Sequence, residues 1–214
     1  MYFSIRRIID FFLALFILMI LSPLILIIII LIKIDSKGPA ILLQERIGMD
    51  FKSYNMYKFR SMVDNAEKIG SGVYSFDGDF RITRVGRVLR KTSLDEIPQL
   101  WNIVKGDMSF VGPRPPMLNY FPKYETLNHL YKRRFTVRPG ITGLAQITGR
   151  NELSWDEKVE FDNIYIDKVL KYGFFYDAKI WGLTIFRVLS MKNIEESVDN
   201  KDKNCQRFNS DGDK

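Results

Sequence analysis

Two adjacent carboxylates, Asp95 and Glu96, directly follow a stretch of the chain that carries only positive charge. Between residues 80 and 94 there are five cations and no acid: Arg81, Arg84, Arg87, Arg90 and Lys91. Paired carboxylates beside cationic donors can hold a divalent metal, attack a phosphorus atom, or do both. The pattern therefore favours an enzyme that acts on phosphorylated substrates over a binding module.

The rest of the composition excludes several other chemistries. The 214-residue chain has one cysteine, Cys205, and one histidine, His129, which argues against His/Cys zinc sites and Ser-His or Cys-His nucleophiles. Its net charge of +7 suits nucleic acid, anionic lipid and phosphorylated substrates equally well. Because no nucleic-acid-binding module is recognisable, nucleic acid is not expected as a partner.

A helix start could also explain the two carboxylates. Ser93 and Glu96 have the spacing of a capping box, and Asp95 could instead cap a helix whose first turn holds Pro98. In both cases the carboxylates lie at a helix N-terminus, where free N–H groups and the dipole favour anions. Spacing alone leaves catalysis and capping open.

Arginine recurs at every third position in one segment and once on each of three loops that contain proline or glycine. Those at positions 81, 84, 87 and 90 would form a cationic stripe on a helix, either a solvated face or a surface that serves the carboxylates. Three later loops that contain proline or glycine each offer one more arginine: Arg114, Arg138 and Arg150. Prolines order the backbone in advance, so such loops suit bidentate recognition of phosphates.

An apolar segment at residues 11–32 is interrupted only by Ser22 and Pro23. About 20 apolar residues are enough to cross a bilayer, and no signal-peptide cleavage site follows. Pro23 should kink or break the helix, and Ser22 could satisfy the freed backbone groups. Cations flank both ends, so a kinked spanning helix and a helix–break–helix within one leaflet both fit.

Beyond this segment we predict an α/β domain that is mostly helical with a small sheet. Strands are expected at 40–44 and 53–59, and helices at 61–69 and from 155 to about 169, the last opened by a Ser154–Glu157 capping box. Residues 174–191 are expected to form an amphipathic helix. This helix either packs on the core or lies in the membrane interface with Trp181 and Phe186 among the headgroups.

These elements predict three regions along the chain. A membrane-inserted helix, broken at Ser22-Pro23, covers residues 1–33, and one compact cytoplasmic domain covers 34–191. A Gly/Ser/Asp-rich loop at 70–79 interrupts that domain. A polar tail at 192–214 is too poor in apolar residues to fold.

Six segments of the domain, in this order and spacing, resemble the bacterial sugar transferases, specifically the small monotopic polyprenyl-phosphate phosphoglycosyl transferases. They are QERIG (44–48), YKFRSM (57–62), RITRVGR (81–87), SLDEIPQLWN (93–102), KGDMSFVGPRP (105–115) and VRPGITG (137–143). The Ser22-Pro23 pair belongs to the same pattern. The resemblance extends to about residue 191.

The resemblance implies transfer of a sugar-1-phosphate from a UDP-sugar to undecaprenyl phosphate, with release of UMP. Such a reaction is the first membrane step in the assembly of exopolysaccharide, O-antigen, capsule or another glycoconjugate. It implies a helix that re-enters at Ser22-Pro23, membrane lipid as a partner, and a catalytic domain on the cytoplasmic face of the bacterial inner membrane. A homo-oligomer is compatible with it.

Residue roles follow from the same resemblance. Asp95 is expected to attack the phosphorus and form an aspartyl phosphosugar, and Glu96 to help bind Mg²⁺. Phosphate oxygens are expected to contact Lys58, Arg90 and Arg114. Further candidate substrate-binding residues are Arg60, Arg138, Gln146, Arg150 and Asp156.

The sequence leaves one alternative mechanism and one alternative function open. Direct transfer without a covalent intermediate competes with the two-step route, and a non-catalytic, membrane-anchored basic scaffold for anionic lipid or polysaccharide machinery is a different class of function. Two departures from the family pattern, Arg134 and Thr148, are expected to bear on the choice of sugar rather than on the chemistry.

Overall fold

Seven helices and four short strands make up the described part of the chain. The structure, a computed structural model, describes residues 2–68, 78–121, 123–149 and 153–189. In chain order the elements are α1 (Tyr2–Asp35), β1 (Ile41–Ile47), β2 (Ser53–Phe59), α2 (Arg84–Thr92), α3 (Gln99–Lys105), β3 (Ser109–Val111), α4 (His129–Arg133), β4 (Gly140–Thr142), α5 (Leu144–Thr148), α6 (Trp155–Tyr172) and α7 (Phe174–Leu189). The fold is mostly helical with little sheet, as predicted. The predicted tail, Arg150 and most of the predicted loop lie outside the described residues.

The strands form two separate pairs. Strands β1 and β2 are antiparallel, with Ile41 opposite Phe59, whereas β3 and β4 are parallel, with Ser109 opposite Gly140. The bounds of β2 agree with the prediction. The predicted helix at 61–69 is wrong, because Met62 pairs in an antiparallel bridge with Ile82 and the only helical turn described there is the 3₁₀ turn Ala66–Lys68.

Helix α1 runs through Ser22 and Pro23 as one helix, so the predicted break of the helical backbone is not seen. Proline at position 23 leaves the Met19 carbonyl without its usual backbone donor. The Ser22 hydroxyl donates to that carbonyl at 2.8 Å, which confirms the expected role of Ser22 in satisfying the freed backbone. Among the described helices, α1 is the one long and apolar enough to cross a membrane by length and composition.

Both ends of α1 bind the rest of the protein. Near its start, Arg6 donates to the Tyr165 hydroxyl at 3.0 Å and pairs with Asp177 at 3.2 Å. At its end, Asp35 accepts a hydrogen bond from the Val85 amide at 2.9 Å. One face of the helix is buried on the domain, while the other exposes large apolar side chains along its whole length: Ile5, Ile8, Phe12, Phe16, Met19, Ile27, Ile30 and Ile34.

Helix α7 packs on the core with one face and exposes aromatic side chains on the other, so it has features of both arrangements predicted for residues 174–191. Ile180 is fully buried, and Trp181 packs edge-on against Phe110 with 5.0 Å between ring centroids. Trp181 therefore contacts the core, as the core-packing alternative expects, and it stays partly exposed. Phe175 and Phe186 are 84% and 74% exposed, so the opposite face presents aromatic rings to the surroundings.

Candidate active site

The two carboxylates lie in a 3₁₀ turn between α2 and α3. Ser93 ends α2 in the left-handed conformation, with φ of 57°, and its amide donates to the Leu89 and Arg90 carbonyls. The turn then covers Leu94–Glu96, and no side chain caps it or α3. The predicted capping box and the alternative Asp95 cap are both wrong, because Ser93 serves as the C-cap of the preceding helix.

Asp95 and Glu96 are both buried but have different partners. The Oε1 atom of Glu96 lies 2.8 Å from Nη2 of Arg114 and 3.1 Å from Nζ of Lys58. Asp95 has only an ion pair with Lys58, at 3.8 Å between Oδ2 and Nζ, and its carboxylate accepts no hydrogen bond from the described residues. Glu96 is thus fixed by two cations, whereas Asp95 is held loosely.

Burial raises the pKa of the Asp95 carboxyl above its ordinary value. The positive charge of Lys58 opposes this shift, the negative charge of Glu96 adds to it, and Arg90 and Arg114 oppose it more weakly. A carboxylate that has lost water and gained few hydrogen bonds keeps more of its nucleophilic character than a solvated one. The surroundings of Asp95 therefore suit a nucleophile better than a structural cap.

Asn102 holds the strand that carries Lys58 against the helix that follows the carboxylates. Its side chain is fully buried; Oδ1 accepts from the Tyr57 amide at 2.9 Å, and Nδ2 donates to the Asn55 carbonyl at 2.7 Å. These contacts join α3 to β2 one residue away from Lys58. Asn102 lies in the segment 93–102 that carries the family resemblance. Its role depends on the packing of α3 against β2, which the sequence does not reveal.

The loop that carries Arg114 is held through its backbone carbonyls. Arg46 donates to the Pro115 carbonyl at 3.2 Å and Arg134 to the Arg114 carbonyl at 2.8 Å. Arg134 is itself paired with the buried Asp162 at 3.0 Å. Burial, together with the charge of Arg114, lowers the pKa of Arg46 to about 10. Sequence reasoning did not assign these positioning roles to Arg46 and Arg134.

The predicted arginine stripe divides into different environments. Arg81 precedes α2, is fully buried and pairs with Asp79 at 2.6 Å, so it is structural. Arg84 and Arg87 are exposed on α2. Arg90 donates to the Ser61 hydroxyl at 2.8 Å and contributes to the field at Asp95. Of the four, only Arg90 is shown to act on the carboxylates.

The remaining candidate residues lie elsewhere in the fold. Arg60 binds the end of α1 through the Ser36 carbonyl at 2.6 Å, and Arg138 donates to the Gly106 carbonyl at 2.9 Å. Asp156 accepts from the Tyr131 hydroxyl at 2.6 Å. The buried amide atoms of Gln146 have no partner among the described residues. Substrate roles for these four stay predictions, and Arg150 lies outside the described residues.

The carboxylates of this site determine whether it suits Mg²⁺. Within the described residues, no three His, Cys, Asp or Glu side chains gather to hold a metal by themselves. Magnesium usually takes one or two carboxylates and completes its shell with water and substrate phosphates. The Asp95–Glu96 pair supplies that number of carboxylates, so the site fits Mg²⁺ shared with a diphosphate.

Comparison with known proteins gives the family. A model of the family described as bacterial sugar transferase matches residues 1–191. The chain belongs to the bacterial sugar transferases. It is 39% identical over 208 residues to the sugar transferase EpsL of Bacillus subtilis (strain 168), and the match covers 97% of each chain.

Two longer bacterial sugar transferases are similarly related. The chain is 42% identical over 189 residues to the UDP-glucose:undecaprenyl-phosphate glucose-1-phosphate transferase of Klebsiella pneumoniae. It is 38% identical over 192 residues to the UDP-N-acetylgalactosamine-undecaprenyl-phosphate N-acetylgalactosaminephosphotransferase of Aeromonas hydrophila. The matched regions span only 39% and 44% of those two proteins.

Proposed function

We propose that the protein is a phosphoglycosyl transferase, which moves a sugar-1-phosphate from a UDP-sugar to undecaprenyl phosphate and releases UMP. The observation that carries this proposal is the unequal pair of buried carboxylates. Glu96 is bound by Lys58 and Arg114, while Asp95 beside it has, among the described residues, a single ion pair at 3.8 Å. Relatives named for the same type of transfer support the reaction class.

In the first step, an Asp95 oxygen attacks the phosphorus that bears the sugar. A bond forms between that oxygen and the phosphorus, and the bond from phosphorus to the bridging oxygen breaks. UMP leaves with the electron pair of the broken bond, which gives an aspartyl phosphosugar. Lys58, Arg90 and Arg114 stabilise the negative charge on the phosphate oxygens, since catalysis of phosphoryl transfer is mostly positioning and charge neutralisation.

In the second step, a phosphate oxygen of undecaprenyl phosphate attacks the same phosphorus. The bond from Asp95 to phosphorus breaks, and the aspartate returns to its carboxylate form. The product is the sugar linked to undecaprenyl through a diphosphate. Glu96, with Asp95, would hold Mg²⁺, which when bound supplies charge neutralisation for the diphosphate of the donor.

The contacts of α1 support a membrane-associated helix that has both ends on one side of the membrane. A 34-residue helix is about 51 Å long at about 1.5 Å per residue, which exceeds the hydrocarbon core of about 30 Å. If it spanned the bilayer, Arg6 and Asp35 would lie on opposite sides. Both bind the same domain, which a spanning helix would not allow.

A soluble UDP-sugar requires the domain to face the cytoplasm. The exposed apolar face of α1 and the exposed rings of α7 would then place the protein on the cytoplasmic surface of the bacterial inner membrane. The acceptor's phosphate lies at that surface, so a shallowly inserted enzyme reaches it without extracting the lipid. Such a step would begin the assembly of a polysaccharide or glycoconjugate.

Release of UMP from a panel of UDP-sugars tests the function. The full chain, purified in detergent with undecaprenyl phosphate and Mg²⁺, is expected to release UMP from at least one donor. Asp95→Asn should lower this rate at least about a thousandfold, because each molecule of donor needs the nucleophile. Exposed Asp167, which pairs with Arg133 at the surface, offers Asp167→Asn as a matched control with unchanged rate. No release from any donor would favour the non-catalytic scaffold.

A further inference from the structure

A basic cavity of about 440 Å³ lies beside the first turns of α1, at the far end of α3 from the carboxylates. Its charged lining comes from Arg6, Arg7 and Asp10 on α1 and from Arg138 on the loop before β4. Lys58 and Arg114, which pair with Asp95 and Glu96, do not line it. The seven residues of α3 separate the two places by roughly 10 Å at about 1.5 Å per residue.

Asp10, the one acid of the cavity lining, forms an ion pair with Arg6. Asp10 accepts a hydrogen bond from the Ser109 hydroxyl and pairs with Arg6 at 3.6 Å. Arg6 also pairs with Asp177 at 3.2 Å, so its charge is balanced within the protein. Asp10 is therefore engaged mainly by Arg6 and Ser109, and it acts on Arg7 and Arg138 only at longer range.

Arg7 and Arg138 form no ion pair with an acid in the described part of the chain. Arg7 donates to the Ile103 and Val104 carbonyls, each at 2.8 Å. Arg138 uses only Nε, which donates to the Gly106 carbonyl, and its two terminal nitrogens have no described protein partner. Burial lowers the pKa of Arg138, the charges of Arg7 and Arg6 lower it further, and Asp10 and Asp50 oppose the shift, so the net effect of its surroundings disfavours the charged form.

We propose that this cavity binds the phosphate group of an anionic membrane lipid, held by the terminal nitrogens of Arg138 with Arg7 beside them. Planar guanidinium groups suit bidentate contact with phosphate oxygens. The volume lies in the range of small-molecule pockets, about 300–1,000 Å³, which leaves room for the atoms attached to the phosphate.

The surroundings of the cavity favour a lipid as the source of that phosphate. Ile5 and Ile8, on the same turns of α1 as Arg6 and Arg7, are 50% and 59% exposed. With α1 in the membrane as proposed above, these side chains enter the lipid and bring the cavity to the level of the headgroups. The site would hold the start of α1 at a fixed depth, which goes beyond the transfer reaction.

Thermal unfolding of the full chain in a neutral detergent tests the proposal without any need for turnover. Short-chain phosphatidylglycerol should raise the unfolding midpoint in a saturable way, because a ligand that binds only the folded state stabilises it. Diacylglycerol with the same acyl chains should not. Inorganic phosphate should compete with phosphatidylglycerol at millimolar concentration. Equal shifts with both lipids, or competition only by a polyprenyl phosphate, would overturn the proposal.

Three variants assign the effect to the cavity. Arg138→Gln should weaken the apparent affinity for phosphatidylglycerol at least about tenfold, since it removes charge-assisted hydrogen bonds. Ser4→Glu adds a negative charge at the exposed mouth, near a helix start that tolerates acids, and should weaken binding although it folds normally. Arg133→Gln, a matched loss of charge on α4 at a side chain outside the cavity lining, should bind like the original protein. Unchanged affinity in Ser4→Glu and Arg138→Gln would contradict the assignment, whether or not the protein transfers sugar phosphate.

Discussion

Asp95 and Glu96 are neighbours in one turn, yet the structure gives them different electrostatic surroundings. Glu96 contacts two cations within 3.1 Å, so its side chain is held in place. Asp95 is desolvated and has one ion pair at 3.8 Å. The difference supports separate roles, with Asp95 as the nucleophile and Glu96 as the residue that organises charge around it.

The raised pKa of Asp95 leads to a prediction about pH. The nucleophile acts as a carboxylate, so activity is present above its pKa and lost as the pH falls through it. Because that pKa is raised, kcat/KM for UMP release should fall on acidification at a pH above about 3.9, the ordinary value for aspartate. Lys58→Gln should move this acidic limb to still higher pH, since Lys58 makes the largest opposing contribution.

Lys52→Gln is the control for that experiment. Lys52 is exposed in the turn between β1 and β2, several residues from Lys58 on the same hairpin. Its replacement removes the same charge without changing the contacts of Asp95. An acidic limb that stays at the same pH in Lys58→Gln, or moves equally in both variants, would rule out the proposed field at Asp95.

At the scale of single residues, the sequence predicted which side chains meet at the carboxylates better than it predicted their individual contacts. The carboxylate pair and the contributions of Lys58, Arg90 and Arg114 were found from residue type, order and family resemblance. The capping alternatives failed because Ser93 adopts a left-handed conformation, which no spacing rule states. The use of Arg60 at the end of α1 depends on a contact between distant parts of the chain, and local patterns carry no such information.

At the scale of elements, α2 must approach the backbone at Ser61, just after β2, to place Arg90. Gly86 allows this, because a Cβ at that position would lie 1.9 Å from the Ser61 carbonyl oxygen. Ser61 in turn accepts the hydrogen bond from Arg90. The glycine thus connects helix packing to the charge near Asp95.

We expect Gly86→Ala to push α2 away from Ser61. Overpacking of this kind costs roughly 1–3 kcal/mol of unfolding free energy, and the loss of the Arg90 contact should lower the rate of UMP release. Thermal unfolding in detergent and the release assay measure the two effects. Gly182→Ala is the control, since nothing lies within 4 Å of the added Cβ and alanine favours a helix by about 1 kcal/mol. Equal stability of the two variants would refute the close approach.

Elements with strong local signals were predicted well from the sequence. Strand β2 has the predicted bounds, and the Ser154–Glu157 capping box is present at the start of α6. The helix expected at 61–69 failed because Met62 pairs with Ile82, twenty residues later, and this pairing outweighs a local helical preference. The helix α1 continues through Pro23, and the Ser22 hydroxyl donates to the Met19 carbonyl that Pro23 leaves without a backbone donor.

At the scale of the whole molecule, α1 determines how the domain meets the membrane. One face of the helix packs on the domain along its length, and the other presents apolar side chains to the surroundings. Both ends are bound to the same domain. The composition of the helix left two topologies open, and only these distant contacts favour the one with both ends on the same side.

Labelling from the two sides of the membrane tests this topology. In a Cys205→Ser background, Ser4→Cys and Lys37→Cys place single thiols at exposed positions near the two ends of α1. A maleimide that cannot cross membranes should label both in inside-out vesicles and neither in right-side-out vesicles. Labelling of the two thiols from opposite sides would show that α1 spans the bilayer.

The most direct test of the central claim is covalent capture of the sugar phosphate. The full chain is incubated with a UDP-sugar that it turns over, without acceptor, and its intact mass is measured. We expect one added sugar phosphate on the peptide that contains Asp95, released when undecaprenyl phosphate is added. The adduct should be absent in Asp95→Asn and present in Asp167→Asn. An Asp95→Asn protein that releases UMP at the original rate would contradict the role of Asp95 as the nucleophile.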